Sequence, residues 1–189
     1  MLSFASDYME TCAPEILKRL GELGKEKLAG YGFDRISESA RNKIREAAGA
    51  PEADVYFLIG GTQTNATVID TMLRPYEGVI AARTGHVSVH EAGAIEYGGH
   101  KVLELPSEEG KIRASQIAEY VDGYWADGNH EHMVMPALVY SSKPHETAAH
   151  FRSVASATDL PIMVYNNPPI YKNDVTPDIL ATLTDCDNI

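Results

Sequence analysis

Cysteine is scarce in this chain. Cys12 and Cys186 stand far apart in 189 residues, which excludes a disulfide framework and a cysteine-built zinc site. Long apolar runs are missing as well: no stretch approaches the roughly 20 residues needed to cross a bilayer. No basic-then-apolar leader opens the sequence. Positive charge is the minority sign, with 16 Lys and Arg against 27 Asp and Glu and a net charge of -11. That balance argues against nucleic acid or an anionic membrane as partner. What is present is ordinary for a globular protein, 44% hydrophobic and 23% charged. The length suits one domain, or one and a fraction, with a real core. The expectation is a reduced, cytoplasmic protein.

Helical and strand patterns alternate along the chain. Helices are expected over Pro14 to Leu28, with a first-turn proline, and over Glu38 to Ala48, with Ser37 as N-cap and Gly49 as stop. The apolar run Asp54 to Ile59 precedes Gly60-Gly61 and reads as a buried strand, followed by a helix from about Gln63 to Leu73. Further strands are expected at Gly78 to Ala82, Lys101 to Leu105, His132 to Tyr140 and Pro161 to Tyr165. Helices are expected at Ala114 to Tyr124, His145 to Ala157 and Pro177 to Thr184. The alternation predicts an α/β fold with a mainly parallel sheet, laid out as a three-layer α/β sandwich.

The first chemical signal is the turn Gly60-Gly61-Thr62-Gln63-Thr64-Asn65. Two glycines let a ligand approach the backbone, and the free N–H groups of a helix start favour an anion. A threonine hydroxyl and a glutamine amide there suit a phosphate cup, although glycine turns between strand and helix are also common without a ligand.

Neighbouring motifs extend this signal. Ser6-Asp7-Tyr8, Gly30-Tyr31-Gly32-Phe33-Asp34, the glycine turn, and Thr84-Gly85-His86 through Glu91-Ala92-Gly93 follow one another in a specific order. Residues 1–136 thereby resemble the threonine aldolases of the aromatic amino acid β-eliminating lyase group. The resemblance implies the large domain of PLP fold type I, with pyridoxal phosphate as cofactor and a small amino acid as substrate. It implies that Gly61, Thr62 and Gln63 hold the cofactor phosphate and that His86 stacks on its ring. Ser6 and Tyr31 would lie on the substrate side, Tyr31 reaching toward a neighbouring subunit, so a homo-oligomer or self-association is expected. Without that context, a hydrogen-bonded histidine at a strand end is the favoured reading of His86.

The other histidines have plainer readings. His130 and His132 flank Glu131 at period two, and a surface turn entering a strand explains them without a metal. His145 and His150 read as structural.

A second resemblance begins at Met133-Val134-Met135-Pro136. Tyr140-Ser141-Ser142-Lys143-Pro144-His145-Glu146, His150-Phe151-Arg152, and Thr158 through Tyr165-Asn166-Asn167-Pro168 resemble the dihydrodipicolinate synthase/N-acetylneuraminate lyase family. Residues 137–189 would match two strand–helix units of that family's (β/α)8 barrel. Aligned on Lys143-Pro144, the family's proton-relay tyrosine falls at Ser141, which makes the adjacent Tyr140 the candidate relay. Pro169-Ile170-Tyr171 stands where true dihydrodipicolinate synthases carry an arginine, which points to another keto acid as substrate.

The two parts can join physically. A strand–helix–strand of barrel origin can dock in a parallel sheet as the equivalent aldolase unit would, through a right-handed crossover. In that register Tyr165 replaces the aspartate that pairs with the cofactor's pyridine nitrogen in threonine aldolases. Both families form a Schiff base on a lysine, and the segment carrying that lysine has no counterpart in this chain. Lys18, Lys25, Lys27, Lys43, Lys101 and Lys111 read as solvated or strand-edge residues, whereas Lys143 and Lys172 follow strand ends. A lysine nucleophile must be both activated and aimed. Three readings result: a threonine aldolase-like lyase inactive alone, a keto-acid aldolase or deaminase, or a non-enzymatic hybrid or truncated product.

Overall fold

The structure is a computed structural model that describes residues 11–24, 26–108, 110–141, 147–166 and 175–189. The chain divides into two compact units, Met1–Val55 and Tyr56–Ile189.

The first unit holds two helices, α1 (Pro14–Leu23) and α2 (Arg35–Ala48). Helix α1 is one turn shorter than the apolar pattern predicts, because Gly24 breaks it at φ 52°. Helix α2 begins earlier than expected, capped by Asp34, whose carboxylate accepts the amides of Ile36 and Ser37 at 2.9 Å each. Ser37, expected as the cap, instead donates its hydroxyl to Asp34 at 2.6 Å. That bond, with the capped amides, holds the Asp34 carboxyl below the usual aspartate range. The cap is therefore intact at neutral pH and is lost only as pH falls through that lowered value. Gly49 closes α2 in the left-handed conformation, as expected.

The second unit is built on one sheet. Its elements are α3 (Gly61–Met72), β1 (Glu77–Ala82), α4 (His86–Val89), α5 (Ala94–Tyr97) and β2 (Lys101–Leu105), then α6 (Ala114–Ala126) and β3 (Met135–Ser141). They continue with α7 (Thr147–Ala155), β4 (Ile162–Val164) and α8 (Pro177–Ala181). The strand order is β2-β1-β3-β4 and all three pairings are parallel.

Side chains alternate between the two faces of this sheet, as the pleat requires. Val79, Ala81, Val102, Leu138 and Tyr140 pack with Ile69 of α3 and Leu73 just after it, Val87 of α4 and Ile95 of α5. Ile80, Ala82, Leu103, Leu105, Val139 and Ile162 pack on the other face with Ile117 of α6 and Val154 of α7. Two helical layers thus enclose the sheet. Burial on both faces is why β1 and β3 read as near-continuous apolar runs. Gly78 sits where β1 and β2 approach closely: a Cβ there would lie 2.8 Å from both the Lys101 carbonyl and Val134 Cγ1.

The barrel-like tail belongs to this same sheet. Strand β3 pairs with β1 on one side and β4 on the other. Phe151 of α7, fully buried, packs with Val175 and Leu183 near α8. The outer edge of β4 is not bare, since the Ile162 amide donates to the Asn188 carbonyl at 2.7 Å. The Asn188 side chain in turn donates to the carbonyls of Ala155, Thr158 and Leu160.

Two expected strand assignments change. The run Asp54 to Ile59 forms no strand, and Tyr56, Phe57, Leu58 and Ile59 are exposed. An apolar run becomes a strand only with a neighbour to hydrogen-bond, and neither side of the described sheet pairs with it. His130–His132 form a 3-10 turn ahead of β3, so the two histidines do not project from a strand. Among the described residues no helix is long and apolar enough to cross a membrane, and no cluster of three potential metal ligands occurs.

Candidate functional site

The connection after β1 runs to β2 through α4 and α5 on one face, while that after β3 runs to β4 through α7 on the other. The carboxyl ends of β1 and β3, which are adjacent, therefore form a switch point where parallel α/β sheets bind ligands. On the α3 side of this point, four elements converge.

The first is the start of α3. Gly60 enters in extended backbone and no side chain caps the helix. The amides of Gly61, Thr62 and Gln63 have no intrahelical partner by geometry, and these three residues are exposed. The Gln63 side chain is engaged locally, its Oε1 accepting the Ile59 amide at 3.2 Å. Thr64 donates its hydroxyl to the Gly60 carbonyl at 2.9 Å, which fixes the turn. The result is an exposed, positively polarised helix start.

The second and third elements are joined by one buried carboxylate. His86 opens α4, and its Nδ1 lies 2.8 Å from Glu91 Oε1. The Glu91 side chain is fully buried, while 16% of the His86 side chain is exposed. The same carboxylate oxygen accepts the Asn65 side-chain amide, from one turn into α3. With Glu91 as a carboxylate, which only accepts, His86 donates through Nδ1–H. Asn65 Oδ1 and Glu91 Oε2 are buried without a partner among the described residues. As acceptors they suit an N–H or O–H group, so any anion belongs at the helix start rather than beside them.

The fourth element is Tyr165, immediately after β4. Its amide donates to the Ser141 carbonyl at 2.9 Å, extending the β3–β4 ladder. Its ring centroid lies 5.5 Å from that of His86 at 36° and 5.5 Å from that of Tyr140 at 29°. Its hydroxyl lies 3.5 Å from where a Cβ on Gly61 would stand. Tyr165 thus spans from the histidine to the helix start.

Of the residues expected at a site, Gly61 and His86 meet through Tyr165, with Thr62 and Gln63 in the same helical turn. Tyr140, the candidate relay, is 2% exposed and stacks on Tyr165. Tyr31 lies in the first unit, 98% exposed and in left-handed backbone at φ 62°. Ser6, Lys25, Lys143, His145 and Lys172 lie outside the described residues. Lys18, Lys27, Lys43 and Lys101 are exposed. Lys111 is half-buried, and with His150 it lines a narrow cleft among Ile112, Ile117, Val139 and Val154. Sequence reasoning assigned no role to Glu91 or Asn65. The H-x4-E spacing from His86 to Glu91 was available as a signal, but the third partner lies 26 residues upstream of Glu91.

Comparisons with known proteins bear on the family of the chain. The beta-eliminating lyase family matches residues 3–149, and the dihydrodipicolinate synthetase family matches residues 113–189. A low specificity L-threonine aldolase from a Pseudomonas strain is 30% identical over 118 residues, which is 61% of this chain and 34% of that protein. A 4-hydroxy-tetrahydrodipicolinate synthase from Campylobacter fetus is 26% identical over 92 residues, covering 47% of this chain and 29% of that one. The chain therefore spans about a third of the length of these curated relatives. The solved threonine aldolase of Leishmania major superposes with a TM-score of 0.84 at 34% identity. That likeness covers 97% of this chain and 55% of the other, so the tail lies within the matched region. A family match over most of the length and a parallel sheet of the same architecture support one assignment: the chain belongs to the beta-eliminating lyase family.

Proposed function

We propose that this chain carries the anion-binding and ring-facing end of a threonine aldolase-type site, descended from a carbon–carbon lyase of small amino acids, and that it does not turn over substrate alone. The observation behind this reading is the convergence of the α3 start, His86 and Tyr165 at one place. Pyridoxal phosphate is the cofactor the family resemblance implies, and its two ends fare differently. The uncapped turn at Gly61, Thr62 and Gln63 suits a phosphate. The ring end does not fit, because Tyr165 stands against His86 and reaches toward Gly61. With its ring seat filled in this way, the site offers that cofactor no place from which to act on a substrate.

The lysine positions support the same conclusion. Covalent lysine catalysis needs a desolvated amine aimed at the substrate, and the described lysines are exposed except Lys111. Lys111 is surrounded by side chains of the opposite face of the sheet. The roles of Ser6 and Tyr31 on the substrate side, and self-association, rest on the family likeness alone. The keto-acid reading is weaker, since Tyr140 is buried beneath Tyr165 and β3 and β4 extend an aldolase-like sheet.

Mixing the purified chain with pyridoxal phosphate and threonine tests this. We expect no lysine-dependent visible absorbance band and no acetaldehyde beyond that formed by free pyridoxal phosphate, a deficit on the order of 10⁴-fold or more against an intact covalent catalyst. A stable visible band with threonine cleavage at enzyme-like rates overturns the proposal.

A further inference from the structure

We propose that Tyr165 is an internal occupant of the ring seat: its phenol takes the place of a flat aromatic ligand against His86 and holds the site closed to aromatic phosphate esters. This inference rests on the reading of the α3 start as an anion seat.

Three contacts fix the phenol in this role. Against His86 the ring centroids are 5.5 Å apart and the planes are tilted by 36°, within the range of aromatic pairing. Tyr165 also stacks on buried Tyr140. At the far end the hydroxyl approaches Gly61, the first residue of α3, within contact distance of a would-be Cβ. A ligand with its phosphate on the α3 turn and its ring on His86 would have to cross the volume that this side chain fills. A 5.5 Å separation between the two centroids leaves no space for a third ring between them, because stacked rings need centroid spacings of about 4.5–7 Å for each pair.

The backbone explains why the phenol stays there. The Tyr165 amide is tied to Ser141, and the side chain falls on the sheet face shared with Leu138 and Tyr140, packed against that cluster. His86 is held at its ring edge by Glu91, through Nδ1. Both walls of the seat are thus fixed, and opening it requires a rotation of Tyr165 about its own side-chain bonds.

The test compares inorganic phosphate with pyridoxamine 5′-phosphate, which has the ring and phosphate but no aldehyde to react with lysines. Binding is measured by calorimetry on the full chain and on Tyr165→Ala. In the wild-type chain the two probes are expected to bind equally, the ring adding nothing. In Tyr165→Ala the pyridoxamine ester should gain roughly five- to tenfold over phosphate, the scale of one aromatic contact. His86→Ala in the Tyr165→Ala background should remove that gain.

Tighter binding of the ester than of phosphate by the wild-type chain overturns the plug. So does phosphate binding without a gain in Tyr165→Ala, an outcome that leaves the anion seat standing. Failure of phosphate to bind either chain overturns the anion seat and the plug with it. Should Tyr165→Ala not fold, the wild-type chain still decides. Nuclear Overhauser contacts from the Tyr165 ring to both Gly61 and the His86 imidazole are expected, and their absence refutes the proposal.

Discussion

Phe151→Ala is expected to destabilise the chain by about 3–5 kcal/mol, the usual cost of removing a buried phenylalanine. Phe151 is fully buried between α7 and the segment around α8, against Val175, Leu183, Ala148, Val164 and Ile179. Every one of these residues lies in the part that resembles the dihydrodipicolinate synthases. Val164 also packs toward the cluster that includes Ile80 and Val139, so damage at Phe151 reaches the central sheet. Urea unfolding followed by fluorescence and by circular dichroism should give coincident transitions shifted to lower denaturant with an unchanged slope. A separate early transition, leaving the main one in place, would mean that the tail is an appendage rather than a part of this core.

The second large effect is expected at Asn65. Asn65→Leu keeps the volume but removes the amide that donates to the fully buried Glu91 carboxylate. Leaving this buried acceptor short of a donor should cost about 2–3 kcal/mol. Glu91→Gln is the informative contrast, because its oxygen can still accept from Asn65 and His86, and it should cost less. Both are measured by urea midpoint. An Asn65→Leu chain as stable as wild type would show that Glu91 does not depend on this bond.

The layered α/β architecture was legible in the sequence because buried parallel strands leave continuous apolar runs. Val79 to Ala82 is such a run, and Val102 to Leu105 is apolar except at exposed Glu104. The same logic misread Asp54 to Ile59, since an apolar run reports a tendency to be buried and says nothing about which strand lies beside it. The cap of α2 was misplaced by one turn because Asp34 and Ser37 are both good caps, and their mutual hydrogen bond appears only in three dimensions. The glycine turn and His86 stood out through their motif order. Glu91 did not, because its importance comes from burial and from joining residues on two helices. Tyr165 was placed by counting along the β4 strand, and its register could be anticipated. Its contacts with His86 and Gly61 could not, because they depend on how β4 docks.

That docking is the point on which the whole assignment turns, since β4 carries Tyr165 into the site. Native-state hydrogen exchange of the amides in β1, β3 and β4 tests it most directly. The Val139 amide, bonded to Pro161, and the Tyr165 amide, bonded to Ser141, report the β3–β4 seam. Both are expected to be protected to an extent comparable with the amides of Val79 and Ile80 in β1, and to lose protection together with them as denaturant is added. Rapid exchange at Tyr165, while β1 and β2 remain protected, would contradict a sheet continued by the tail.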